Sequence, residues 1–406
     1  MHRVFWVGSS LVLPGLLFLI CAPSLKEVLG AEAFGAFALL YTSFQVASML
    51  DFGATKTLSY YLAGGAGRNR FWQVAGYIVA TIAIGFVVLW PVFHFLGTGN
   101  SWHVSPEPAA LALVTALYAG CQLCKSVLDA SGLFALGFVS RILLAVIVVA
   151  LPIVLPPGFD LTRIIEVIYP ATLFGLLLLN GLGLAVALGT PSVVSHPSSA
   201  SPLFGPLIHY QFFAFLAAVM IVGSNYGERF ILTSHVTLTE LGGYVVAAEL
   251  LLKILLPSSI FSTILLIDLR RSSQISDNLR ILKRAIVLCA LTTGLLCLAI
   301  YTFSGFILFT WLKTEIAWND RYFLAMIAGV FLNAMAAILS TYLEASGRQG
   351  LRFSIFVIYV PVHLSALTWL IPSLGVEGAA LGWLLKGTLE VLMFGAAVRW
   401  LSKFVK

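Results

Sequence analysis

Charged side chains recur in stretches of this chain that are otherwise apolar. Glu249 and Lys253 stand one helical turn apart near the middle of one such stretch, and Lys386 and Glu390 do the same in another. Asp51 and Lys56 share a third, while Glu228 and Arg229 adjoin each other in Asn225-Tyr-Gly-Glu228-Arg229-Phe-Ile-Leu232. A charge at the centre of a membrane helix costs roughly 2.5–3.5 kcal/mol on the insertion scale, so such groups face protein or water. The i,i+4 spacing lets an acid and a base touch along one helix face, which lowers that cost. The chemistry open to these residues is binding. Ammonium and guanidinium groups hold anions, and carboxylates balance them or take up a proton or a cation. Two arrangements satisfy the pattern: self-neutralising pairs between packed helices, or the polar lining of an aqueous cavity. Lys125 and Asp129 have the same spacing but lie at a span boundary, and read as a surface pair. No catalytic residue is expected. Cys121-Gln-Leu-Cys124 has the spacing of a metal or redox pair, yet no second ligand pair accompanies it, so packing thiols and no metal are expected.

The elements that carry these residues follow from composition. Hydrophobic residues make up 60% of the 406 and charged residues 10%, whereas a soluble domain has about 25% charged. The apolar runs reach the length of about 20 residues that crosses the hydrocarbon. The chain is therefore predicted to be an all-α polytopic membrane protein. Breaks at Gly, Pro and charge clusters define twelve transmembrane helices, at 4–22, 34–60, 71–96, 108–128, 133–155, 164–188, 206–226, 241–267, 282–310, 321–343, 352–371 and 377–400. The first run imitates a signal peptide, but spans follow at once, and an uncleaved helix is expected. With the N-terminus inside, 15 of the 23 Lys and Arg fall on the cytoplasmic side. Five (Lys26, Arg163, Arg229, Lys313 and Arg321) fall outside, and Lys56, Lys253 and Lys386 remain within spans. That bias places both termini in the cytoplasm.

The chain also echoes itself. Leu128-Asp-Ala-Ser-Gly132 returns 215 positions later as Leu343-Glu-Ala-Ser-Gly347, and Leu29-Gly-Ala-Glu-Ala-Phe-Gly35 reads against Leu238-Thr-Glu-Leu-Gly-Gly-Tyr244. The Ser- and Pro-rich connector from Pro191 to Pro202 follows the sixth span. We expect two pseudo-twofold-related six-helix bundles, residues 1–190 and 206–406, joined by a cytoplasmic linker at 191–205. Such repeats characterise secondary transporters, with a polar site where the halves meet. Spans two and eight then correspond, and both carry charge at their centres. No loop is long enough for a folded extramembrane domain, and Lys386-Gly-Thr388 lacks the glycine spacing of a phosphate loop, so ATP hydrolysis is not expected. Nor are cofactors or nucleic acid, since the basic residues are spread among short loops. Trp90 and Trp400 near span ends read as interfacial anchors. Gly375, Gly378 and Gly382 place three glycines near one helix stripe, a tight packing surface.

Several segments carry a family resemblance. Leu29-Gly-Ala-Glu-Ala-Phe-Gly35 followed by Leu50-Asp51-Phe-Gly53, then Tyr226-Gly-Glu228-Arg-Phe-Ile-Leu232 with Leu241-Gly-Gly-Tyr244, Glu344-Ala-Ser-Gly347-Arg, and Leu370-Ile-Pro372-Ser-Leu-Gly375-Val-Glu-Gly378-Ala-Ala380 run in order along the chain. Together they resemble the bacterial polysaccharide flippases, the O-antigen and exopolysaccharide exporters. These belong to the multidrug/oligosaccharidyl-lipid/polysaccharide exporter superfamily. Glu228 stands where many members have Asp. The resemblance implies a two-lobed inner-membrane flippase that turns an oligosaccharide carried on undecaprenyl diphosphate toward the periplasm, its lipid tail remaining among the membrane lipids. The diphosphate would then meet basic residues near the midplane, Lys253 first, then Lys56, Arg229 and Lys386. Asp51, Glu249, Glu228 and Glu390 would balance charge or bind a coupling proton or sodium ion. A monomer is expected, since each chain carries both lobes.

Two other readings stand beside this one. A cation-coupled multidrug exporter of the same superfamily also needs buried carboxylates, which Asp51 could supply. A membrane glycosyltransferase or polymerase using the same lipid carrier needs a catalytic acid or base outside the membrane, and the first outer connector offers only Glu27 and Glu32.

Overall fold

The computed structural model describes residues 2–49, 71–98, 107–130, 133–155, 160–189, 204–271, 275–307, 320–346 and 348–403. Twelve long helical segments account for nearly all of these residues, and no strand occurs among them. They are α1 (His2–Leu29), α2 (Ala31–Met49), α3 (Phe71–Thr98), α4 (Pro108–Ala130), α5 (134–154), α6 (161–189), α7 (Phe204–Leu232), α8 (238–271), α9 (Ile275–Thr302), α10 (Asp320–Ala345), α11 (Gln349–Leu374) and α12 (Val376–Lys403). Each expected span falls on one of them in order. Among the described residues, nine helices are long and apolar enough to cross a membrane. The other three expected spans correspond to α1, α2 and α7; residues 50–60 of the second lie outside the described residues, as does the connector from Pro191 to Pro202.

Local sequence sets where these helices turn and break. Gly30 (φ +81°) and Gly375 (φ +59°) make the one-residue joints between α1 and α2 and between α11 and α12, in a backbone region that costs a glycine little. Thr237 caps α8 reciprocally with Glu240. The Thr237 hydroxyl accepts the Glu240 amide at 3.3 Å, and the Thr237 amide donates to the Glu240 carboxylate at 2.9 Å. Pro257 lies inside the same helix and cannot donate to the Lys253 carbonyl four residues back. That carbonyl accepts the Leu256 amide instead, and Lys253–Leu255 tighten into a 3₁₀ turn. In α5, Pro152 leaves the Val148 carbonyl without its α-helical donor. The buried Tyr169 hydroxyl donates to it at 2.7 Å, next to a π-helical turn at Val146–Ala150.

The chain packs as two compact units, Met1–Val222 and Gly223–Lys406, dividing within α7. In the first, α4 is the central helix, in contact with α2, α3, α5 and α6. Val74, Ile78, Leu123, Cys124, Val127, Leu128 and Leu184 form an apolar cluster among α3, α4 and α6. In the second, α10 holds the centre and packs most extensively on α12, where Gly329 and Gly387 let the two backbones approach closely. A Cβ on Gly387 would stand 2.5 Å from the Gly329 carbonyl oxygen. The expected glycine stripe also packs tightly, with Gly378 against the Leu370 backbone and Gly382 against the Leu367 side chain. Outward positions are apolar, including Val79, Val87, Leu291, Leu295, Leu298 and Leu392, as suits helices bathed in lipid.

Candidate functional site

The buried charges of the second unit gather where α7, α8 and α12 meet. Arg229 near the end of α7 is wholly buried. Its guanidinium donates to Glu249 on α8 at 3.0 Å, and its Nε lies 3.8 Å from Glu228. Glu249 spends its other oxygen on Lys253, one turn along, at 3.0 Å. The expected Glu249–Lys253 pair is therefore present, but as part of a chain of four charges rather than a pair in isolation. Only Lys253 in that chain reaches outward, its side chain 23% exposed. It projects from the 3₁₀ turn that Pro257 imposes, a break in a spanning helix of the kind that presents polar groups at midplane depth. The network continues through neutral groups. Tyr244 donates to Glu228 at 3.3 Å, and the indole N–H of Trp383 on α12 donates to the Tyr244 hydroxyl at 2.9 Å. Tyr226 offers its ring face to Arg229 at 4.8 Å.

Lys386 and Glu390 correct the expectation that spacing raised. Both are buried on α12, yet no ion pair joins them. The Lys386 ammonium donates to the Asn225 side-chain oxygen on α7 and lies 6.0 Å from the Trp383 ring. Glu390 accepts from Asn333 of α10 at 2.6 Å and from Tyr359 of α11 at 2.5 Å. An i,i+4 spacing permits contact without compelling it. Here neighbouring helices offer each charge a better-placed neutral partner.

Of the eight residues singled out from sequence, Glu228, Arg229, Glu249, Lys253, Lys386 and Glu390 fall in this one unit. Asp51 and Lys56 lie outside the described residues. Lys125 and Asp129 do pair, at 2.6 Å, half-buried at the end of α4. Cys121 and Cys124 are buried free thiols, the first 3.4 Å from the Leu173 carbonyl. Among the described residues no cluster of His, Cys, Asp and Glu could hold a metal. Sequence reading passed over Asn225, Tyr244, Asn333, Tyr359 and Trp383. The first two sit in motifs already quoted, and Asn333 is an amide inside an apolar run, which is a usable signal. Tyr359 and Trp383 give none, because aromatic residues abound in every span.

The twelve-helix fold is similar to that of solved transporters of the MOP superfamily. The structure matches the lipid II flippase MurJ in an inward closed conformation with a TM-score of 0.69, at 15% identity over 98% of this chain and 87% of that one. It matches a multidrug resistance MATE family transporter of the MOP superfamily, inward-facing, with a TM-score of 0.67, at 10% identity over 99% of this chain and 95% of that one. In sequence, 174 residues are 26% identical to a putative O-antigen transporter of Shigella flexneri, covering 41% of this chain and 40% of that protein. The chain thus aligns with less than half of that curated relative's length. No family model matches.

Proposed function

We propose that this chain is a flippase of the bacterial inner membrane. It moves an undecaprenyl-diphosphate-linked oligosaccharide from the cytoplasmic to the periplasmic leaflet by alternating access, for synthesis of a surface polysaccharide such as O-antigen or exopolysaccharide. The observation that carries the reading is the basic site of the second unit: Lys253, partly exposed at a helix break, and Lys386, bonded to a neutral amide rather than a carboxylate. A sugar head group cannot cross hydrocarbon unaided, and a diphosphate needs cations along its path. Lys253 and Lys386 serve as point charges for that diphosphate. Arg229, held by Glu228 and Glu249, fixes the carboxylate that orients Lys253. Glu228, Glu249 and Glu390 balance charge, while Asp51 is the carboxylate for a coupling proton or sodium ion. The similarity to a putative O-antigen transporter and to the fold of a lipid II flippase supports a lipid-linked substrate.

On this reading the protein acts as a monomer without enzymatic chemistry of its own. Its lobes are residues 1–190 and 206–406, the linker 191–205 is cytoplasmic, and both termini face the cytoplasm. The test is export of surface polysaccharide in a deletion strain complemented with Lys253→Ala. Loss of export with normal membrane insertion is expected, and normal export removes Lys253 from the site. Unchanged surface glycans in the deletion strain, together with altered accumulation of cationic dyes on expression, would establish the multidrug reading instead.

A further inference from the structure

The face of α12 that meets the other helices carries Trp383, Lys386 and Glu390 at i, i+3 and i+7, one stripe of the helix. Three carboxylates are buried among the described residues: Glu228, Glu249 and Glu390. The first two lie within ion-pairing distance of Arg229. Glu390 instead rests on two neutral donors, Asn333 and Tyr359, one to each oxygen. One turn before it, the buried Lys386 rests on the neutral Asn225. Opposite charges four residues apart on a helix are neighbours able to pair. Buried charges are ordinarily paired, because a neutral partner compensates desolvation less well than a counter-charge does. The two residues are therefore engaged by three neutral side chains from other helices, Asn225 of α7, Asn333 of α10 and Tyr359 of α11.

We propose that Glu390 is an internal competitor for Lys386: it displaces the diphosphate from that lysine and so supplies the release step of the transport cycle. This rests on the reading of Lys386 as a diphosphate ligand. A lysine in low-dielectric surroundings holds a multiply charged anion strongly, and a carrier must also let go. If the phosphate left Lys386 without replacement, a bare buried ammonium would remain, which opposes departure. Glu390 removes that penalty, because a change of rotamer from Asn333 and Tyr359 toward Lys386 replaces one anion by another. The arrangement seen here, with the carboxylate parked and the ammonium on an amide, is the one ready to receive substrate. Asn333 and Tyr359 are positioning residues that keep the competitor away until the helices that bear them move. Of the other charges nearby, Glu228 lies close enough to Lys386 to feel its charge but is held by Arg229 and Tyr244, and Arg352, two turns before Tyr359 on α11, binds Glu344 at 2.7 Å.

The competition gives variants of opposite sign. With the purified protein in lipid nanodiscs and inorganic pyrophosphate as the probe, calorimetry reads affinity directly. Glu390→Gln, which is isosteric and uncharged, should bind pyrophosphate about tenfold more tightly, within the range of coupling between linked sites, while export in cells slows. Tyr359→Phe removes one parking donor and should weaken binding, but should have no effect when combined with Glu390→Gln. A merely structural role for the cluster predicts weakening by every variant in every background. Unchanged or weaker binding by Glu390→Gln overturns the proposal, as does unchanged or tighter binding by Tyr359→Phe, which carries the test if Glu390→Gln does not fold. Lys386→Gln separates the two levels. If it leaves pyrophosphate binding intact, Lys386 is not the anion ligand; if it abolishes binding while Glu390→Gln fails to tighten it, only the competition is wrong.

Discussion

Glu249 is the residue on which the buried charges of the second unit converge, and its removal should be the costliest polar substitution in the protein. It accepts from Arg229 at 3.0 Å and from Lys253 at 3.0 Å, with its own side chain almost completely buried. Glu249→Gln keeps the volume but removes the negative charge and presents an amide N–H to one of two cations. Breaking a buried ion pair by deleting one partner costs about 3–5 kcal/mol. Spread over a unit of this size, that lowers the melting temperature by roughly 6–20 °C. Lys253→Ala offers the contrast, because Lys253 is partly exposed and Glu249 keeps Arg229; its expected cost is about 1 kcal/mol or less. The assay is thermal unfolding of purified protein in detergent with a thiol-reactive fluorophore, since Cys289 and Cys297 on α9 are buried free thiols that label only on opening. Stability and function then separate: Glu249→Gln loses both, while Lys253→Ala loses export alone. If Glu249→Gln melts within about 2 °C of the parent, or if Lys253→Ala costs as much as Glu249→Gln, the account of this network is wrong.

Packing and topology give three further outcomes. Gly387→Val should cost about 1–3 kcal/mol or more, because the first added carbon already stands 2.5 Å from the Gly329 carbonyl oxygen and 2.8 Å from the Leu332 Cβ. Gly395→Ala on the same helix, with nothing within 4 Å of the added carbon, should instead stabilise by about 0.5–1 kcal/mol; the same melting assay reads both signs. Reporter fusions after Arg70 and after Arg271 should both report the cytoplasm, and a periplasmic signal from either overturns the orientation and the span count behind it.

The helices were legible because long apolar runs and the glycines between them constrain a membrane chain more than a soluble one. Gly30 and Gly375 lie inside the connectors expected between 22 and 34 and between 371 and 377, but the helices run up to them on both sides, so the expected spans were too short there. What could not be read was the break inside α8. A periodicity argument passes over Pro257, although the missing amide is what turns Lys253 off the regular helix. At the site, local spacing found Glu249–Lys253 because both members lie on one helix and a third charge reinforces them. The same spacing misled at Lys386–Glu390, where the partners come from Asn225, Asn333 and Tyr359, which lie 161, 57 and 31 positions away in the chain. No local rule ranks a distant neutral group above a near charge. Only the packing of α12 among α7, α10 and α11 decides it.

The repeated word at 128–132 and 343–347 has a structural counterpart in each unit, and the counterpart is more faithful than the letters. Both words end the most buried spans among the described residues, α4 with 72% of its span buried and α10 with 67%, against 44% or less in the other seven. Each end closes with the same backbone bond five residues back, Leu133 amide to Leu128 carbonyl at 2.9 Å and Arg348 amide to Leu343 carbonyl at 3.0 Å, the 6→1 bond that finishes a helix. An acid so near a helix C-terminus is opposed by the helix dipole and calls for a base. Asp129 has Lys125 at 2.6 Å on its own helix. Glu344 has Arg352 at 2.7 Å from the next helix, and Arg352 also donates to Ser340 at 2.8 Å. Counted along the repeat, Ser340 occupies the place of Lys125, and Arg352 occupies the place of Gly137. An added Cβ on Gly137 would stand 2.2 Å from the Asp129 carboxylate. The base has moved from one helix to the other, and the smaller residue has moved the opposite way to make room. What persists is a capped, neutralised helix end at the core of each unit, while the residues that build it are exchanged. Physical constraints of this kind explain how folds can agree over 98–99% of this chain at only 10–15% identity, leaving short words as the only trace in the sequence.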